Sequence, residues 1–300
     1  MSINDAIAPP WYSLPSLVSR SSNGTRSTTP SGSHVTTVTP SDSMKRVPTM
    51  SLRIRSRHFS CSFSSIATGE SVGLFPMSET TARLRITRRS GKVRVVAAPG
   101  SELHVDGGTI VENDDGTVDV KADGSSVLRV QCPPGSDLTI STASGAVDVE
   151  GDAGSVKVTT KSGNLSIERA TAVDARGASG KVKVGVCTGD CHVVFVSSNV
   201  RIGTAGKATV ATVSGNIDVG EADEAEVKTV SGNISVGGNA GGRVAARSIS
   251  GSVEISVPEG SKPSTRLKAV SGHVRCECEQ GHDGEVKAAT VSGAISVTCR

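Results

Sequence analysis

Aromatic side chains are nearly missing from this chain. Its 300 residues hold one Trp, one Tyr and four Phe. Trp11, Tyr12, Phe59, Phe63 and Phe75 all fall in the first quarter, which leaves Phe195 alone in the rest. Protein interiors are close-packed, so a core without rings must be narrow, a few aliphatic side chains across. An aromatic platform for stacking sugars is excluded with the rings. Long apolar runs are missing too: no stretch approaches about 18 consecutive apolar residues, and no apolar segment of about 7–15 residues leads into a small-residue cleavage site. These absences leave membrane insertion and a secretory leader without support, and they make the cytoplasm the expected location, with the cell surface reached only by an unrecognised route.

A dominant charge is the third absence. The 32 Lys and Arg against 29 Asp and Glu give a formal net charge of +3. The segment before Met77 carries 7 of the basic and 3 of the acidic side chains, so 25 and 26 remain from Met77 onward. A folded part at −1 offers no general surface for nucleic acid. The same leading segment contains 18 Ser, 8 Thr and 7 Pro with no sustained apolar period, the composition of a disordered low-complexity tail. Folded sequence is expected to start at Met77, which makes residues 1–76 an over-extended start or a disordered extension.

What the chain has in abundance is one short phrase. TVSGNIDV at Thr212–Val219 returns as TVSGNISV at Thr229–Val236, and Ser-Gly pairs begin at Ser144, Ser162, Ser179, Ser214, Ser231, Ser250, Ser271 and Ser292. A ninth copy sits at Ser197, where Ser198 replaces the glycine. Self-similarity at a nearly fixed period outranks any element-by-element reading. Three residues after the serine the copies read Val147, Leu165, Val182, Val200, Ile217, Ile234, Val253, Val274 and Ile295. Five after it they read Val149, Ile167, Val184, Ile202, Val219, Val236, Ile255, Cys276 and Val297. The residue between is polar or charged in every copy, as in Asp148, Lys183, Asp218 and Glu254. That is the period-two alternation of a half-buried strand. A looser strand precedes the serine, and Ser-Gly-Asn joins the two as a turn, because Gly and Asn tolerate positive φ.

One unit of this size cannot bury its own apolar face, so copies must stack. The fold expected is all-β: a right-handed parallel β-solenoid of about nine coils spanning residues 141–300. At about 4.8 Å per layer the rod is about 40 Å long. Residues 77–140 are less regular, with Asp114–Gly116 as a hairpin signal, and are expected to form an N-terminal β cap over the first coil. The last copy stops at Arg300 with no covering segment, so the coil of Ser292 to Thr298 is expected to be the open end of the rod and the surface for end-to-end self-association.

SGKVRVVAAPGSELHVDGG, RVQCPPGSDLTISTASGAVDVEG, the recurring SGN(I/L)xV, VPEG before RLKAVSGHV, and KAATVSGAISV together resemble the bacterial putative-adhesin family of β-strand-repeat domains of unknown function. The resemblance covers about residues 80–300. It implies a right-handed single-strand parallel β-helix and an adhesion role, and it brings no catalytic residues.

No catalytic, cofactor-binding or metal-binding residue is expected, and no cofactor. Enzymes on parallel β-helices need clustered carboxylates, whereas outward positions here mix Asp148, Lys183, Arg201, Asp218 and Glu254 without stacking acids. Cys187, Cys191 and His192 lie close in sequence but lack zinc-site spacing and a second ligand pair. Cys276, Cys278 and Cys299 fall on aliphatic columns and are expected to be small core residues. Asn164, Asn199, Asn216 and Asn233 are explained by the turn. Lys228, Arg247, Arg266, Lys268 and Lys287 form a late basic stripe, read as a solvated face because Glu226 and Glu285 interleave. The functional expectation is a non-enzymatic interaction or scaffold module with an unknown protein or glycan partner. A self-assembling β-helical scaffold is the alternative, with a carbohydrate-active enzyme behind it.

Overall fold

The computed structural model describes residues 50–51, 81–100, 102–122 and 126–300, without the side chains of 50–51 and 239–241. Apart from Met50–Ser51, the Ser/Thr/Pro-rich tail of residues 1–76 lies outside the described residues. Among the described residues there is no helix; the strands join in one large sheet whose ladders are mostly parallel, consistent with a β-solenoid.

The apolar columns fold as their alternation dictates. Of the eighteen residues three and five places after the turn serines, sixteen are at most 2% exposed, while Val274 and Cys276 are exposed. The residues six and four places before the serine close the core from the other side, as Val156 with Val158 and Ala225 with Val227 do. Between them and the turn runs a polar ladder two places before the serine: Thr142, Thr160, Thr212, Thr229, Ser248 and Thr290 are all buried. Thr212 and Thr229 bond through their hydroxyls at 3.3 Å, so the ladder partly satisfies itself. Phe195 occupies this column. On Gly177, in the same column one copy earlier, a Cβ would come within 2.4 Å of the Phe195 ring. The one ring in the repeats therefore fits because the preceding copy gave up its side chain.

The turn glycines form a second ladder. Gly145, Gly163, Gly180, Gly215, Gly232, Gly251, Gly272 and Gly293 all have φ between 126° and 149°, a region that L side chains rarely adopt. Each also lies against a backbone carbonyl of the next turn in the stack: a Cβ on Gly232 would sit 2.1 Å from the Gly215 oxygen. Turn conformation and close stacking thus demand glycine together.

That ladder gives the order of the stack, and at both ends it departs from chain order. Gly145 rests on Gly91, and the strand Arg83–Ser90 pairs in parallel with both Asp137–Ser144 and Thr117–Ala122. Val93–Ala97 likewise pairs with Val147–Ser162 on one side and Leu128–Cys132 on the other. Parallel stacking therefore reaches back to Ser90-Gly91, and the earliest coil-forming strands lie one layer inside the outermost.

At the far end Gly293 rests on Gly251 and Gly272 rests on Gly293. Val253–Val257 pairs with Ile295–Cys299, which pairs in turn with Val274–Cys276. This corrects the expectation for the C-terminus. The coil of Ser292 to Thr298 is not the open edge; it is inserted between the copies that begin at Ser250 and Ser271, with Ile295 and Val297 at most 1% exposed. Sequence order suggests otherwise because nothing in a repeat marks which neighbour it will choose.

The two outer faces differ. At the N-terminal end Thr109–Glu112 pairs antiparallel with Thr117–Ala122, and His104–Asp106 with Leu128–Cys132; Met50–Ser51 adds to His104–Val105. At the other end the outer edges of Ser264–Ser271 and Val274–Cys276 carry no strand among the described residues. A disulfide joins Cys278 to Cys299 there, with Cα atoms 5.6 Å apart.

Candidate functional site

The turn asparagines do more than turn. The Asn199 carboxamide oxygen accepts the backbone N–H of Asn216, Asn216 that of Asn233, and Asn233 that of Ser252, each at 3.0 Å; Asn164 accepts from Lys181 at 3.1 Å. They tie coil to coil, which commits them to the fold. The signal in the sequence was their repetition at one offset, since only a stacked array gives each side chain the same partner.

The cysteines divide into groups the columns did not foretell. Cys278 and Cys299 are bonded and Cys276 is exposed, so none of the three is a buried core thiol; all belong to the end layers and the closing loop, where the core runs out. Cys187 and Cys191 are buried, with the Cys187 thiol directed at the carbonyls of Thr171 and Gly189, both at 3.8 Å. The neighbouring Cys187 thiol, together with burial, pushes the Cys191 thiol well above the usual thiol range. Among the described residues no three His, Cys, Asp or Glu side chains gather as a metal site would require.

Several outward charges pair across layers, whereas Lys157, Lys161, Lys181, Lys183 and Glu254 have no ion pair among the described residues. Lys92 meets Asp148 at 2.6 Å, Arg94 meets Glu150 at 3.1 Å, Arg201 meets Asp218 at 2.9 Å and Lys207 meets Glu224 at 3.5 Å. Asp148 and Asp218, the acids nearest to an enzyme-like reading, are thereby engaged.

The late basic stripe gathers its cations around one concavity. Arg247, Ala289 and Lys268 stand in one register across three stacked strands, and Ala245, Lys287 and Arg266 in the next. Ala289 occupies the column of Lys228, Arg247 and Lys268, and its short side chain leaves a concavity of about 320 Å³ lined by Arg247, Arg266, Lys268 and Lys287 over Ala246, Ala288 and Ala289. Lys287 pairs with Glu285 at 2.5 Å, and this lysine holds the Glu285 carboxyl below the usual carboxylate range. Among the described residues no carboxylate lies within ion-pair distance of Arg247, Arg266 or Lys268. Interleaving Glu226 instead binds Lys228 at 2.6 Å. The stripe was legible in the sequence; the concavity was not, because it depends on the copy that begins at Ser292 lying inside the copy that begins at Ser271.

Beside this patch, the residue just before the turn serine is aliphatic and exposed in copy after copy: Val196, Val230, Ile249, Val291 and Val270 are 42–82% exposed. The N-terminal copies hold Arg89, Ala143, Lys161 and Ala178 at that place, so the apolar ridge belongs to the C-terminal half.

Comparison with known proteins adds a family and little else. No curated protein matches the chain. A solved structure of a putative cell adhesion protein from Clostridium sporogenes is similar at 9% identity over 73% of this chain and 93% of that one, with a TM-score of 0.19, too slight a likeness to bear on fold or function. Among the described residues no helix is long and apolar enough to cross a membrane. The Toastrack DUF4097 family matches residues 84–300, a span that takes in the repeats, the glycine ladder back to Gly91 and both ends of the stack, and the chain belongs to that family of uncharacterised repeat domains.

Proposed function

We propose that the protein is a non-enzymatic interaction module, a right-handed solenoid rod that joins a second copy of itself end to end. The observation that carries this reading is the open C-terminal layer. Val274 is 47% exposed and Val270 is 82% exposed, Cys276 is exposed, and Leu267 and Ala269 are only partly covered. The equivalent Ile295 and Val297, one layer in, are buried. An uncovered strand edge presents free N–H and C=O groups that template pairing with another chain, and the exposed aliphatic side chains supply burial at about 25 cal/mol per Å². Asp148 and Asp218 are held by Lys92 and Arg201, which speaks against glycoside chemistry at those positions, since that chemistry uses two carboxyl groups facing one another.

Sedimentation velocity of the full chain over a concentration series tests the reading. The expected result is reversible dimerisation that Val274→Lys abolishes while the melting temperature holds. A strict monomer at every concentration would leave a module that binds a different protein or a glycan. Location bears on the partner, and two observations pull apart: the sequence reading favours the cytoplasm, whereas structural disulfides such as Cys278–Cys299 persist in oxidising compartments. Trapping free thiols in intact cells decides between them.

A further inference from the structure

We propose that the concavity over Ala289 is a binding site for a multiply charged phosphoryl group, an assignment independent of the end-to-end reading. Like charges directly opposite on neighbouring strands are destabilising, and Arg266 stands in register with Lys287 while Arg247 and Lys268 flank Ala289 from either side. Elsewhere on the rod some cations meet a carboxylate one layer away, as Lys92 meets Asp148 and Arg201 meets Asp218, and Lys157 and Lys183, which have no ion pair among the described residues, are not gathered four to a concavity of this kind. Here, among the described residues, four cations share one dent and Glu285 is the sole carboxylate ion-paired with any of them, and Glu285 also answers Arg243 at 3.6 Å. An arrangement unfavourable to the empty fold is accounted for by a ligand that neutralises it.

The shape narrows the ligand. Strands about 4.8 Å apart put Arg247 and Lys268 about 10 Å from each other across Ala289, a span that a phosphoryl group can bridge with oxygens directed to both. Two guanidinium groups offer planar forks that match phosphate oxygens bidentately, and the lysines add compact charge. Replacing Ala289 with the Lys or Arg that its column carries in neighbouring copies would fill the dent, so the alanine makes the site. A single carboxylate would leave most of this charge uncompensated, which disfavours an acidic peptide. The exposed Ile249, Val291 and Val270 border the dent two residues further along the same strands. The phosphoryl group can therefore come from a soluble polyphosphate or from a lipid whose apolar part meets that ridge.

Titration calorimetry of the full chain with sodium pyrophosphate, at an ionic strength of about 0.15 M where exposed charges are largely screened, is the direct test. One saturable site is expected, weakened about tenfold by Arg247→Gln and again by Arg266→Gln, in line with charge-assisted hydrogen bonds. Ala289→Leu is the sharper variant, since it fills the dent and keeps all four cations. Loss of binding there supports a built site, whereas undiminished binding reduces the patch to diffuse charge and overturns the proposal. Ala289→Glu should abolish binding and raise the melting temperature by supplying the missing carboxylate; a lowered melting temperature in a folded variant would contradict the electrostatic cost on which the inference rests. Vesicles containing phosphatidic acid separate the sources. Capture that pyrophosphate competes away assigns a lipid phosphoryl group to the same site, and pyrophosphate binding without capture assigns a soluble ligand. No saturable heat with pyrophosphate, or capture by poly-glutamate that pyrophosphate does not displace, would sink the proposal.

Discussion

The two ends of the rod solve the same problem in opposite ways. At the N-terminal end the outermost layer is a finished surface: Val118, Val120, Leu128 and Val130 are at most 1% exposed, and antiparallel strands occupy its edges. Leu103 and Val105, from the covering segment, are themselves buried. At the C-terminal end the outermost layer keeps the inward-pointing pattern of an interior coil but has nothing above it among the described residues, so Val274 and Cys276 face out. Both ends set the earliest or latest coil-forming strands one layer inward, so neither difference comes from a loose end. What the N-terminal end has in addition is an irregular insertion between Ala97 and Leu128, long enough to supply covering strands. The C-terminal end has only the loop between Cys276 and Glu285, tied down by a disulfide.

The largest effect expected from this contrast follows from burying a charge. Val120→Asp at the covered end should cost several kcal/mol, because it places an unpaired carboxylate in a dry site, whereas Val274→Asp at the open end should stay within about 1 kcal/mol, as surface changes do. Ile234→Asp and Ser235→Asp calibrate the scale mid-rod, since Ile234 is 1% exposed and Ser235 is exposed. Urea denaturation of the four variants gives the comparison, and similar losses for Val120→Asp and Val274→Asp would mean the C-terminal layer is covered in solution.

Next in size is the glycine ladder. Gly232→Ala forces a Cβ to within 2.1 Å of the Gly215 carbonyl at φ 148°, mid-rod, where both neighbouring layers hold it. It should lower the stability of the whole array. Gly272→Ala meets the Gly293 carbonyl at 1.9 Å, but its layer has no outer neighbour, so the strain can be released by fraying that layer alone. Hydrogen exchange separates the outcomes: faster exchange throughout for the first, and confined to residues 264–276 for the second. Global loss of protection from Gly272→Ala would show that the end layer and the rod fold as one unit.

How much of this was legible in the sequence follows from the kind of information a repeat carries. Val147, Leu165, Ile217 and their column-mates announced the buried face because alternation is local, and the turns announced themselves through Ser-Gly-Asn. Stack order was not legible. The copies beginning at Ser250, Ser271 and Ser292 present nearly the same faces to a neighbour, so the choice of Ser292 over Ser271 as partner for Ser250 depends on small differences in fit, summed over two strands. Ser90-Gly91 carried the repeat signature, but the inserted cap lies between it and Ser144 and broke the period that would have marked it. The basic concavity required the stack order, and so it was beyond reach in one dimension.

The disulfide should matter less than the ladder and only at one end. Cys278–Cys299 closes a loop over a sequence separation of 21 residues, and a closure of that size restricts the unfolded chain by about 3 kcal/mol on the chain-entropy account. Because the bond holds the inserted C-terminal strand beside the open layer, reduction should speed exchange in Glu285–Cys299 and leave Arg83–Ala97 unchanged. Equal loosening at both ends would remove the asymmetry between them.

The smallest effect is a pH dependence that belongs to the covered end. Cys132 is wholly buried there, and burial pushes its thiol up to about 11, a hydrogen bond with Ser136 opposing the shift. The folded-state value is raised above the unfolded one, about 8.5 for a free thiol, so the neutral thiol favours the fold fully below that value. As pH rises between the two values the unfolded chain loses a proton the folded chain retains, and stability falls by about 1.4 kcal/mol for each pH unit. Mid-rod, Cys187 and Cys191 share a hydrogen bond that shifts the two thiols in opposite directions, and Cys278 and Cys299 are bonded and contribute none. Melting temperatures between pH 8 and about 11 should therefore decline in the wild type and decline less steeply in Cys132→Val, which keeps the volume of the site and removes the titrating group. An identical decline in that variant would place the alkaline sensitivity elsewhere in the rod, and would remove the claim that the covered end is dry enough to hold a thiol neutral.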